Sequence, residues 1–317
     1  MAGLAIAFRR VDLAALGTAL ADANWWWFAG AVVAVIAAIV VRAWRWQLLL
    51  APIERIGTGP LFSATMVGYF GNGVLPMRLG ELMRAVAIGR RGGRVDVSTA
   101  LGSIAVERLL DVASALAVAA LVVPFSGGLG GGVAAWSGAA ALVIVAFGGL
   151  LWASRSAWVR RLVSRVESSG GGGRLRGLAG SFLRGLLILG EGPGQSVPGG
   201  KGGAGQALSK LLPIGLATAI IWILYAVMVW TAARAAGIPL SWLDSGLVLL
   251  ATVVAVSVPA APGYVGTYHA AVVLVAADLL GHPAAQAQAF AILSHAASWL
   301  PTVAIGALCL LRSSIKL

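Results

Sequence analysis

Arg78, Glu81 and Arg84 stand three residues apart in the stretch GNGVLPMRLGELMRA (71–85), inside a chain otherwise rich in Ala, Val, Leu and Gly. On a helix this spacing puts all three on one face, where Glu81 can bridge both guanidiniums. Glu107 and Asp111 are four apart and share a second helical face, with Arg108 beside it. These six charges sum to zero. Ionisable groups in apolar spans cost about 2.5–3.5 kcal/mol each on insertion scales and turn toward a bundle interior or an aqueous cavity. Two readings follow. In one, the charges are an ion-pair network that pins a broken helix against its neighbour. In the other, an arginine is left free, or is freed on binding, to meet an anionic phosphate, which a guanidinium grips with two parallel hydrogen bonds.

His269 and His295 supply the other ionisable groups in apolar sequence, and a packed or capping role competes with a proton relay or a headgroup contact. Tyr264, Tyr268 and Trp299 could shape a cavity beside them, while His282 falls in a presumed outer loop. Enzyme signatures are absent: the chain has no Walker loop, no His-Glu-x-x-His, no Gly-x-Ser-x-Gly and no aspartate-rich metal motif. No catalytic residue, metal or cofactor is therefore expected. The missing nucleotide site argues against a primary pump and leaves coupling to a proton gradient open.

Of the 317 residues, 59% are hydrophobic and 11% charged, against about 25% charged in soluble domains. This is the composition of an integral membrane protein. The net charge of +12 does not point to nucleic acid, because the arginines cluster in short segments between apolar runs, as the positive-inside rule describes. Cys309 is the one cysteine, so no intrachain disulfide forms. The start, MAGLAIAFRRVDLAAL, is too short in its apolar part for a signal peptide or a span and reads as the end of a helix. Trp25, Trp26 and Trp27 read as an interfacial belt.

Apolar runs near the roughly 20 residues that cross a bilayer fall at about 25–50, 97–123, 133–153, 208–233 and 284–311. Arg42, Arg45 and Arg55 cluster at the end of the first. Arg90, Arg91 and Arg94 precede the second, seven arginines lie between Arg155 and Arg184, and Arg312 and Lys316 close the chain. Placing all of these in the cytoplasm leaves two apolar segments, 60–90 and 241–281, whose ends must lie on one side. Gly71, Gly73 and Pro76 interrupt the first, and Pro259, Pro262, Gly263 and Gly266 the second. Each is expected to be a re-entrant hairpin with its tip near mid-membrane.

The expected fold is thus an all-α polytopic bundle, one domain over 1–317, in which span, hairpin and span occur twice as an inverted repeat reversed by the span at 133–153. PMRLG (76–80) and PGYVG (262–266) share a Pro-x-x-x-Gly frame at the two tips. Glu107 and Arg108 follow Gly80 by 27 and 28 residues, and His295 follows Gly266 by 29. Residues 155–206 form a basic cytoplasmic loop, read either as solvated chain or as surface helices on anionic headgroups, and end in a Gly-rich linker.

Three stretches, Asn72–Glu81, Ser98–Asp111 and Pro262–Leu274, resemble the lysylphosphatidylglycerol synthase transmembrane-region family, in order and over essentially the whole chain. That resemblance implies a multi-span bundle with re-entrant helices and the movement of a lipid between leaflets. The family's Pro-x-Arg-x-Gly-Glu motif falls on Pro76, Arg78, Gly80 and Glu81, its Glu-Arg-x-x-Asp motif on Glu107, Arg108 and Asp111, and its Pro-Gly-x-x-Gly-Thr motif on Pro262, Gly263, Gly266 and Thr267. Where many relatives carry a glutamate soon after, this chain has Tyr268 and His269. The chain stops at Leu317, without the soluble transferase domain that follows in the synthases, so lysyl transfer is not expected.

The expectation is a flippase-like protein of a bacterial-type inner membrane that moves a phospholipid or an isoprenoid-linked lipid without nucleotide hydrolysis. Its partner would be a lipid with a phosphate headgroup. Arg78 and Arg84 would contact the phosphate, Glu81, Glu107 and Asp111 would meet a cationic part or hold the arginines, Arg108 would complete the group, and His269 and His295 would line the opposite side. Two alternatives stay open. One is a transferase acting on a polyprenyl phosphate, with Glu107 or Asp111 as base. The other is a scaffold that docks a glycosyltransferase or another lipid-modifying enzyme through residues 155–206.

Overall fold

A computed structural model describes residues 12–75, 79–125, 204–257 and 262–312, which are helices and their connecting turns with no strand among them. In chain order these are α1 (Leu13–Ala21), α2 (Trp25–Leu50), α3 (Thr58–Val74), α4 (Gly80–Gly89), α5 (Val97–Val122), α6 (Ala204–Ala235), α7 (Trp242–Ser257), α8 (Thr267–Val273) and α9 (Ala284–Arg312). A 3-10 turn at Pro262–Tyr264 precedes α8, and a π-helical segment, Leu274–Leu279, continues it. The expected spans at 25–50, 97–123, 208–233 and 284–311 are found as α2, α5, α6 and α9, each long and apolar enough to cross a membrane. The 26 residues of α2 run roughly 39 Å, against a hydrocarbon core of about 30 Å. The span expected at 133–153, the basic loop at 155–206, and Pro76, Arg78, Pro259 and Lys316 lie outside the described residues.

Polar side chains mark where these helices begin. Asn24 accepts from the amides of Trp26 and Trp27 at 3.1 and 3.3 Å, and Asp96 accepts from Thr99 at 2.8 Å, each supplying an acceptor to otherwise unpaired first-turn donors. The amide of Asn24 also donates to the carbonyl of Ala235 at 2.9 Å, which places the start of α2 beside the end of α6. At the far end, Gln47 donates to the Ile56 carbonyl and accepts from Thr58, at 2.8 and 2.9 Å, turning the chain from α2 into α3. Glu54 then accepts from the amides of Arg94 and Val95, at 2.7 and 3.1 Å. The start of α3 and the end of α4 therefore lie at the same end of the bundle.

With 17 and 10 residues, α3 and α4 run roughly 25 and 15 Å, so neither alone crosses the hydrocarbon core. Their contact depends on glycine. A methyl group at Gly71 would stand 2.8 Å from the Cα of Gly80, and one at Gly80 would strike the Gly68 carbonyl and the Asn72 amide. Asn72 explains its place in the motif by capping across the break: its Oδ1 accepts from the Gly80 amide at 3.0 Å, at the start of α4. On the other side of the molecule, α2, α6, α7 and α9 enclose the largest apolar core, with Val35, Val229, Val248 and Phe290 fully buried. A smaller core of Trp46, Leu61, Ala85, Ile88 and Ile104 joins α2, α3, α4 and α5.

Gly80→Ala is expected to lower the unfolding temperature in detergent, followed by tryptophan fluorescence, because overpacking of this kind costs about 1–3 kcal/mol. Gly59→Ala meets nothing within 4 Å and serves as the control. Equal unfolding temperatures for Gly80→Ala and wild type would show that the close packing of α3 on α4 is not needed.

Candidate functional site

Glu107 lies ten residues into the 26 of α5, roughly 15 Å along the helix axis and thus near the middle of this candidate span. Its side chain is 1% exposed, and Arg84 of α4 reaches it at 2.7 Å with Arg45 of α2 at 3.6 Å. One turn on, Asp111 divides its two oxygens between Arg42 at 2.8 Å and Arg45 at 2.7 Å, with Arg108 at 3.5 Å. Arg108 in turn pairs with Glu81 at 2.8 Å. Among the described residues, four arginines thus meet three carboxylates, which leaves the network one positive charge in excess.

The network has a closed half and an open half. Arg45 is fully buried and also donates to the Thr218 hydroxyl of α6 at 3.2 Å. Arg84 lies 3.7 Å over the ring of Trp46, a cation–π contact worth about 2 kcal/mol or more where water is excluded. Trp46 is itself fixed by donating to Ser103 at 2.8 Å. The Nε and Nη2 of Arg84 are buried and have no hydrogen-bond acceptor. Arg108 and Glu81, by contrast, are 40% and 30% exposed in their side chains.

The two helix breaks meet next to this network, and α9 holds both. Trp299 donates its indole N–H to the Gly73 carbonyl at 3.4 Å, in the last turn of α3. One turn earlier, His295 Nε2 bonds the Gly263 carbonyl at 2.8 Å. A carbonyl can only accept, so Nε2 carries the proton. Gly263 and Gly266 have φ of +66° and +101°, a region open to glycine, and a methyl at Gly263 would come within 3.2 Å of the Gly73 carbonyl. His269 lies edge to face with His295 at 4.8 Å, and Tyr268 is 5.0 Å from His295. One turn before Gly73, the hydroxyl of Tyr69 is 3.4 Å from that of Tyr225 on α6.

Several expectations are thereby located and some corrected. Glu81, Glu107, Arg108, Asp111 and Arg84 come together, and His269 and His295 are neighbours. The pairing differs from the local one: Glu81 bridges to Arg108 on α5, and Arg84 reaches Glu107, because partners on the facing helix offer better geometry than i,i+3 neighbours. Arg42 and Arg45, read from sequence as charges at the cytoplasmic end of a span, are instead buried within the network. The signal was present in Trp46 and Leu48–Leu50, which continue the span past both. Thr267, of the third motif, opens α8 and bonds the Tyr264 carbonyl at 3.2 Å, and Arg78 and Pro76 lie outside the described residues.

The family model for the lysylphosphatidylglycerol synthase TM region matches residues 1–306. The chain belongs to this family. It is accordingly a membrane protein involved in lipid handling, and the charge network and both breaks fall within the matched residues. Comparison with curated proteins and with solved structures finds no match to either.

Glu107→Gln would leave Arg84 buried without a carboxylate, Arg45 keeping Asp111, and breaking a buried pair in this way costs about 3–5 kcal/mol. Glu81→Gln removes a half-exposed pair, worth about 0–1 kcal/mol. Unfolding in detergent is therefore expected to be far easier for Glu107→Gln than for Glu81→Gln. The reverse order would mean that the closed half does not hold the fold.

Proposed function

We propose that this chain moves a phosphate-bearing lipid between leaflets without nucleotide hydrolysis, its headgroup passing the meeting point of the two helix breaks while its chains stay in the bilayer. In this reading α3–α4 and α7–α8 are re-entrant hairpins of an inverted repeat, in a bacterial-type inner membrane, with 1–317 as one transmembrane domain. The observation that carries it is a network with one cation in excess, open at Arg108 and Glu81, directly after the break that α9 links to its counterpart. Interrupted helices commonly mark the binding sites of transporters, because unwound backbone at membrane depth is tolerated where it lines a cavity.

Arg108, with Arg78 in the break, would meet the phosphate first. The unpaired Nη2 of Arg84 supports a deeper contact, made if the headgroup displaces part of the internal pairing. Glu81 would take a cationic part of the headgroup, and His269 and His295 would line the opposite side. The transferase alternative has less support, since Glu107 and Asp111 are already paired with two and three guanidiniums respectively. Neither is free to draw a proton from a substrate.

Leaflet exchange in proteoliposomes tests the proposal with labelled phosphatidylglycerol, an aminoacyl-phosphatidylglycerol and a polyprenyl-phosphate sugar. Movement of one of these by wild type, slowed about tenfold or more by Arg108→Ala or Arg78→Ala, is the expected result; tenfold corresponds to roughly 1.4 kcal/mol of barrier. No movement of any of them, by protein shown to be folded, would overturn it. Trp299→Phe keeps an aromatic ring but removes the donor to Gly73, so it is expected to change the exchange rate and to lower the unfolding temperature by less than Glu107→Gln does.

A further inference from the structure

Arg234 stands at the end of the bundle opposite Arg55, Arg90, Arg91 and Arg94, in the last turn of α6. Its guanidinium sits in a corner of two indoles, 4.2 Å over Trp230 and 5.6 Å over Trp27. Those two rings meet edge to face at 5.4 Å and 87°, and Trp242 stacks on Trp230 at 5.2 Å with the planes 6° apart. Three helices, α2, α6 and α7, thus contribute to one aromatic group around one cation. The acids nearby in the chain do not neutralise it. Asp244, two residues after Trp242, accepts from the Ser241 hydroxyl at 2.6 Å, and no carboxylate among the described residues forms a salt bridge with Arg234.

An arginine at this end works against the positive-inside rule, which favours cations at the other end. A helix-dipole role accounts for a positive charge in the last turn but not for the indoles gathered around it. Arg234 is exposed beside these rings, so its N–H groups remain able to donate, and their fork matches two oxygens of a phosphate. Trp242 is 57% exposed, and tryptophans at a span end lie at headgroup depth. We propose that Arg234, with Trp27, Trp230 and Trp242, is a receptor for the phosphodiester of an anionic lipid in the leaflet at this end of the bundle. The site is separate from the internal network and stands whether or not the chain transports lipid.

Native mass spectrometry of the full chain released from nanodiscs of mixed phosphatidylglycerol and phosphatidylcholine tests it. Wild type is expected to retain phosphatidylglycerol about tenfold better than Arg234→Ala, the factor that follows from losing hydrogen bonds to a charged group. Arg234→Lys, which keeps the charge at the helix end, separates the roles: receptor geometry predicts a several-fold loss, and a dipole role predicts retention equal to wild type. Equal retention by wild type and Arg234→Ala, or by wild type and Arg234→Lys, would overturn the proposal. So would stripping of the lipid by millimolar inorganic phosphate, which would identify a site for free anions instead. Trp230→Ala, expected to weaken retention with the arginine intact, checks that the indoles take part.

Discussion

A charge in the middle of a bilayer must either be paired or be wet, and the first half of this molecule is organised by that requirement. Glu107 is 1% exposed, and its compensation comes from two other helices, through Arg84 and Arg45. For Arg84 to reach it, α4 must lie directly against α5. With α4 fixed there, α3 can pack on it only at a backbone distance that Gly68, Gly71 and Gly80 permit. Trp46 then covers the Arg84 guanidinium from α2 and is held by Ser103 of α5. The small-residue contact, the stacked indole and the ion pair are consequences of one buried carboxylate.

The same network answers the two readings of its charges by dividing between them. Arg45, Arg84 and Glu107 are closed off, and a pair of that kind holds helices in register more than it adds net stability. Arg108 and Glu81 carry the same chemistry at an open edge, where pairing is weak and therefore exchangeable. Asp111 touches both halves, accepting from Arg42 and Arg45 on one side and lying 3.5 Å from Arg108 on the other. A change in what Arg108 binds would thus be felt by Asp111, and through it by α2.

Much of this was legible in the residues, and what was not has identifiable causes. Run lengths were enough for α2, α5, α6 and α9, because a span of this length in lipid has few alternatives to helix. The Gly and Pro punctuation located both interruptions, since removing amides and freeing φ leaves little else for the chain to do. The partners were harder. Spacing favours Glu81 with Arg84, yet the facing helix supplied Glu107 and Arg108, and no periodicity within one segment records its neighbour. Arg42 and Arg45 were misread because a cluster of arginines near the end of a span usually marks the cytoplasm. Trp46 and Tyr225 carry no sequence signal of their own, since an aromatic residue in a span is ordinary core until its partner is known.

The two breaks present the same physical problem with different surroundings. A helix that stops leaves its last carbonyls without partners along the helix, and they must be met from elsewhere. Here the Gly73 and Gly263 carbonyls each receive a donor from α9, Trp299 for the first and His295 for the second, four residues apart on one face. The first break opens onto charges and the second onto the rings of Tyr268, His269 and His295. Because both carbonyls depend on the same stretch of one helix, a displacement of α9 large enough to release one would release the other. The two breaks are therefore mechanically joined even though they come from distant parts of the sequence and differ in the chemistry around them.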